Sequence, residues 1–245
     1  MPDVHRKEPR LLHDGTPVTV VHVVRHGEVA NPQGVLYGRL PGYHLSPRGE
    51  EMAQATADFL AARDVSYVVA SPLERAQETA APIAVAHPAR DADGESRAGK
   101  LVVQLDPRLT ESANHFEGLT VGRGEGALWR PKHLRAYVNP FAPSWGEPYT
   151  EIAARMRNAL ESARQCGVGH EAVMVSHQLP IWMLRRSLEG RHLWHHPRKR
   201  ECSLASVTSI LFHGKFPVRI TYSEPAGHLL SGALDVTGTS SAVMG

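Results

Sequence analysis

Val20-Val-His-Val-Val-Arg-His-Gly-Glu28 joins a valine-rich run to a cluster of charged and polar residues. The apolar, β-branched run Val20–Val24 has the pattern of a strand buried on both faces, and it delivers Arg25 and His26 to the strand's carboxyl end. In open α/β sheets that edge is where ligands bind. A neutral imidazole beside a fixed cation suits attack on a phosphoryl group, because arginine stays charged and its fork matches phosphate oxygens. Taken alone, Arg-His-Gly reads better as a histidine in a surface turn, so the weight rests on whether the pattern recurs.

It recurs twice. Val65–Ala70 is a second strand candidate, followed by Ser71-Pro-Leu-Glu-Arg-Ala-Gln-Glu-Thr-Ala80, in which Ser71 has the chemistry of an N-cap, Pro72 of a first helical turn and Glu74 of a capping box. Arg75 then sits at the positive end of the helix dipole, where a cation is unfavourable unless an anion binds there; pairing with Glu74, Glu78 or a remote carboxylate is the alternative. Glu171-Ala-Val-Met-Val-Ser-His177 is the third run, again with a histidine at its tip. Between the second and third, Glu111 follows the strand candidate Leu101–Leu105 and is available as a proton donor.

Around these runs the chain alternates strands and helices. A capped amphipathic helix is predicted from Ser46 to Arg63, others over Tyr149–Gln165 and Leu179–Leu188, and a terminal hairpin over Leu204–Phe212 and Phe216–Tyr222. The expected architecture is α/β: a three-layer αβα sandwich around a mainly parallel sheet, a single domain over residues 17–223. Residues 1–16 read as a polar N-terminal segment, 87–100 as a mobile insertion and 224–245 as a flexible tail. The aromatic, basic excursion 112–149 reads either as a substrate-selecting lid or as a packed cover for the sheet.

These motifs, in this order, resemble the histidine phosphatase superfamily, which includes cofactor-dependent phosphoglycerate mutases and many phosphomonoesterases. The resemblance covers roughly residues 18–222 and rests on Arg25-His26-Gly27, Ser71-Pro-Leu-Glu-Arg75 with Thr79, Leu109-Thr-Glu111 followed by Phe116-Glu-Gly118, Gly146-Glu147, and Val175-Ser-His177. It implies that His26 attacks phosphorus, that Arg25, Arg75 and His177 surround the phosphoryl oxygens, and that Glu111 protonates the leaving oxygen, with Glu28 or Glu117 as the next candidates for the acid. Asn31, Arg39 and Gln178 complete the implied substrate-binding set. The segment holding Val29 and Asn31 is one residue shorter than in many relatives, and Gln178 stands where many have glycine.

The implied activity is hydrolysis of a small phosphorylated metabolite through a phosphohistidine. A phosphoglycerate mutase-type phosphotransferase and a non-catalytic phosphate binder are the alternatives. The scheme requires no metal and no cofactor. A net charge of +2 over 245 residues gives no argument for nucleic acid, and Cys166 and Cys202 are too few for a disulfide framework. With no apolar run near the ~20 residues of a membrane span, a cytoplasmic protein without membrane partners is expected. The oligomeric state is left open. The cluster His192, Trp194, His195 and His196 reads as a surface loop rather than a metal site.

Overall fold

The computed structural model describes residues 8–90, 96–120, 146–196 and 199–235. Its centre is a six-stranded sheet. In chain order the strands are β1 (Val18–Arg25), β2 (Val65–Ala70), β5 (Gln104–Leu105), β6 (Glu171–Ser176), β7 (Val207–His213) and β8 (Phe216–Ser223), arranged β5-β2-β6-β1-β7-β8; β3 (Pro88–Arg90) and β4 (Ser96–Lys100) form a separate antiparallel pair. The pairs β5–β2, β2–β6 and β6–β1 are parallel, while β7 and β8 add an antiparallel edge. Among the described residues, four α-helices, α1 (Pro47–Ala61), α2 (Glu74–Ala86), α3 (Tyr149–Cys166) and α4 (Gln178–Leu188), complete the α/β sandwich.

Side-chain alternation along the strands builds the layers. Val21 and Val23 of β1, with Ala172 and Met174 of β6, pack with Ile152, Met156 and Leu160 of α3 and Ile181 and Leu184 of α4. Val24, Val173 and Val175 face the other way, onto Ala57 and Leu60 of α1 and Ala76, Ala80 and Ile83 of α2. Both faces of β1 and β6 are therefore covered, which is why these strands read as continuous apolar runs.

Two features differ from the sequence expectation in ways that shape the site. Ser46 caps α1 as predicted, accepting from the Gly49 amide at 3.0 Å, but α2 starts at Glu74 with Leu73 as its uncapped N-cap. Ser71, expected to cap that helix, instead turns its hydroxyl to His177. Within residues 224–235, read from the sequence as part of a flexible tail, Ala226, Leu230 and Ala233 are buried against Met52, Leu204 and Ala205. Three apolar side chains spaced over a Gly-rich stretch suffice to dock it, a pattern too sparse to register as an element. The remainder of the tail, 236–245, lies outside the described residues, as does 121–145 of the excursion. In the expected insertion 87–100, residues 88–90 and 96–100 pair as strands.

Candidate functional site

Register brings the site together. Arg25 pairs with Ser176 and Ala70 with Val175, so the carboxyl tips of β1, β2 and β6 lie side by side, and the residues that follow them, His26, Ser71 and His177, converge above one edge of the sheet. The rings of His26 and His177 stand 5.1 Å apart, tilted by 59°. All of Arg25, His26, Arg75 and His177 are buried.

His26 Nδ1 lies 2.8 Å from the carbonyl of its neighbour Gly27. A carbonyl only accepts, so Nδ1 carries the proton and Nε2 is the unprotonated nitrogen. Burial, reinforced by the Arg75 and Arg25 cations, holds His26 well below the usual histidine range, which keeps the ring neutral. His177 is depressed in the same way, by burial first and then by Arg75. It is thus a neutral ring in the ligand-free protein. Its Nε2 is 2.9 Å from Ser71 Oγ, which also accepts from the Leu73 amide at 3.3 Å. Nδ1 has no partner among the described residues.

Arg75 is the least compensated charge of the group. Nη2 donates to the Gly38 carbonyl at 2.6 Å and the guanidinium lies 4.7 Å above the Tyr37 ring, but Nε and Nη1 have no acceptor among the described residues. Thr79, one turn along α2, accepts from the Gly27 amide at 3.1 Å and donates to the Arg75 carbonyl at 2.7 Å, tying the helix that carries Arg75 to the loop that carries His26. That loop also needs glycine on both sides of a backbone crossing: a Cβ on Gly27 would stand 2.5 Å from Gly49 O, and one on Gly49 would stand 2.0 Å from Glu28 O.

Glu111 is half-buried at the rim, its Oε1 accepting from the Ser112 amide at 2.7 Å. Burial pushes its pKa up, against the pull of that amide and of Arg75, Arg200 and Arg25, so a proton is held more readily than on a free glutamate. Arg39 contributes by position: Nε donates to the Glu111 carbonyl at 2.6 Å and Nη2 to Glu147 at 2.8 Å. Arg155 holds Glu147 from the other side, at 2.7 Å.

Other sequence-selected residues are engaged elsewhere. Both ends of the Asn31 amide bond Val35, at 2.8 and 3.0 Å, closing its own loop. Glu28 accepts from Ser46 Oγ and from the Leu234 amide, and Glu117 from the Asn114 amide, so both alternatives to Glu111 act as local braces. Gln178 is buried between the Cys202 carbonyl and Arg200. His195, expected on a surface loop, is buried; burial lowers its pKa to about 4, and its Nε2 accepts from Arg200 Nε at 2.8 Å.

Asp235 is the residue that sequence reasoning missed. Its carboxylate takes Arg25 Nη1 and Nη2 at 2.8 Å each, while Nη1 also donates to the Cys202 carbonyl at 2.7 Å. No signal near Asp235 announces it, since the stretch around it is polar and aperiodic. Arg200, Ser71 and Tyr37 likewise join the site only through the fold. Among the described residues no cluster of His, Cys, Asp or Glu is arranged to hold a metal ion, and no helix is long and apolar enough to cross a membrane.

The chain is 57% identical over 208 residues to the "Uncharacterized protein Rv0525" of Mycobacterium tuberculosis, an alignment spanning 85% of this chain and 97% of that protein. It is 32% identical over 196 residues to the "Probable phosphoglycerate mutase GpmB" of Yersinia enterocolitica, covering 76% of this chain and 83% of the relative. Among solved structures, the mycobacterial glucosyl-3-phosphoglycerate phosphatase Rv2419c superposes with a TM-score of 0.64 at 25% identity, over 84% of this chain and 98% of its own. The family profile of the histidine phosphatase superfamily (branch 1) matches residues 21–223, and the chain belongs to that superfamily.

Proposed function

We propose that the protein is a phosphomonoester hydrolase acting on a small phosphorylated metabolite, with a phosphohistidine on His26 as the intermediate. The observation that carries this reading is the meeting of an unprotonated His26 Nε2 with buried nitrogens that have no partner among the described residues: His177 Nδ1 and Arg75 Nε and Nη1. A tetrahedral dianion with three non-bridging oxygens is the ligand such a set fits. In the first step His26 Nε2 bonds phosphorus as the ester oxygen leaves with a proton from Glu111. In the second, Glu111 takes a proton from water, whose oxygen bonds phosphorus as the phosphohistidine bond breaks, releasing inorganic phosphate. Arg75 and Arg25 supply the positive charge that meets the phosphoryl oxygens and the neutral His177 ring lines the same pocket, so the chemistry asks for no metal ion. The solved relative named a phosphatase supports hydrolysis; the relative named GpmB keeps transfer to a second hydroxyl as the alternative.

A screen of purified protein against sugar phosphates, phosphoglycerates, nucleotides and phosphoamino acids, with EDTA in excess, decides between them. Stoichiometric release of inorganic phosphate from a subset of these supports hydrolysis. Isomerised ester without free phosphate supports transfer, and neither product from any of them would leave a phosphate binder.

A further inference from the structure

We propose that Asp235 is a positioning residue: the C-terminal segment reaches back over the signature loop and fixes the Arg25 guanidinium that faces the phosphoryl group. The inference rests on the phosphohydrolase reading and goes beyond it, since it adds a residue and a segment outside the stretch matched by the superfamily, which stops at residue 223. Two independent contacts seat the segment. Ala226, Leu230 and Ala233 bury themselves on Met52, Leu204 and Ala205, and the Leu234 amide donates at 2.6 Å to Glu28, which lies two residues beyond His26. Asp235 follows directly, and its side chain is 2% exposed where it meets Arg25, itself fully buried.

A buried guanidinium needs a partner, and Arg25 lies near a second cation, Arg75, in the same site. The two-point pairing with Asp235, together with the Cys202 carbonyl on Nη1, fixes the plane of the fork and offsets the cost of burying a cation. A carboxylate this close to an anion site could instead compete with the anion. Its placement speaks against competition: Asp235 engages Arg25, while Arg75 Nε, Arg75 Nη1 and His177 Nδ1 keep no partner among the described residues. The segment therefore braces the wall of the pocket without filling it.

The test compares wild type with Asp235→Asn, which keeps the shape and removes the charge, and with Asp235→Glu, using p-nitrophenyl phosphate turnover and inhibition by vanadate. For Asp235→Asn we expect kcat/KM to fall roughly 10- to 100-fold, the scale on which outer partners of a binding group act, with vanadate inhibition weakening in parallel and partial rescue in Asp235→Glu. In an Arg25→Met background, Asp235→Asn should add no further loss, because the two residues act as one unit. Tighter vanadate binding or a lowered KM in Asp235→Asn would overturn the proposal in favour of competition. Unchanged kinetics with only a lowered melting temperature would reduce Asp235 to a structural contact, and full additivity with Arg25→Met would uncouple the two. Should Asp235→Asn not fold, the Asp235→Glu comparison with and without Arg25→Met carries the same coupling test. His26→Ala separates this inference from the reading beneath it: turnover surviving in His26→Ala overturns the phosphohistidine reading, whereas a dead His26→Ala beside a fully active Asp235→Asn overturns only the role of Asp235.

Discussion

Replacing Arg75 by methionine should move binding and stability in opposite directions. Arg75 is fully buried, and burial pulls its pKa below the usual arginine value, with the nearby carboxylates Glu111, Glu74 and Glu117 offsetting this only in part. Two of its nitrogens, Nε and Nη1, lack acceptors among the described residues, and each such donor costs about 1–3 kcal/mol. Methionine removes both costs; it forfeits the bond to the Gly38 carbonyl and the contact over Tyr37, together on the order of 2–4 kcal/mol. The balance leaves ligand-free Arg75→Met within about 2 kcal/mol of wild type, on the stable side if relaxation is complete. Phosphate binding loses far more. A cation about 4 Å from a phosphoryl oxygen contributes roughly 4 kcal/mol at an effective dielectric near 20, so after desolvation a loss of about 10²- to 10³-fold in affinity follows. The assay is denaturant unfolding with and without inorganic phosphate: wild type gains stability as phosphate saturates it, while Arg75→Met gains almost none at the same concentration. A variant destabilised by more than about 3 kcal/mol without ligand, or one that phosphate stabilises as fully as wild type, would mean that Arg75 is not an uncompensated cation held for an anion.

The remaining predictions concern Glu111 and the opposite end of the sheet. Glu111→Gln should slow hydrolysis of alkyl phosphates by about 10²-fold or more, but p-nitrophenyl phosphate by less, because that leaving group needs little protonation; equal slowing of both in steady-state assays would move Glu111 to the water step. At the amino-terminal edge, Glu171 is buried. Burial alone would raise its pKa, yet bonds from His22, at 2.6 Å, and Arg10 bring it down to about 2 from the ordinary 4.5. A depressed carboxylate stabilises the fold above the unfolded value and loses that contribution as pH falls, so about 3 kcal/mol present at pH 6 should drain away between about pH 4.5 and 2. Urea midpoints for wild type and Glu171→Gln should converge on acidification; a constant gap between them would contradict the pairing.

What could be read before the fold was known follows from how local each signal is. β1, β2 and β6 are buried on both faces and therefore announce themselves as apolar runs, and the polar residues at their tips mark the site edge without any knowledge of strand order. Ser46, with a proline after it and a helical pattern behind, marks α1. Ser71 carried the same local signature, but the hydrogen bond to His177, 106 residues away, outweighs a cap, and α2 begins later. Asn31 had the right chemistry for a phosphate ligand and spends it four residues along, on Val35. Asp235 lies 210 residues from Arg25, and nothing in the polar stretch around it distinguishes it from any solvated aspartate. Long-range pairing of this kind is set by the docking of Leu230 and Ala233, a tertiary event without a periodic pattern.

If His26 carries the phosphoryl group between the two steps, the phosphoenzyme can be trapped. Protein mixed briefly with a 32P-labelled substrate and quenched under alkaline conditions should carry label on His26, stable in base and lost in acid, as phosphohistidine is. The same procedure on His26→Ala, at equal folded concentration, should leave the protein unlabelled and turnover abolished. Label retained by His26→Ala, or turnover that persists without it, would contradict the account.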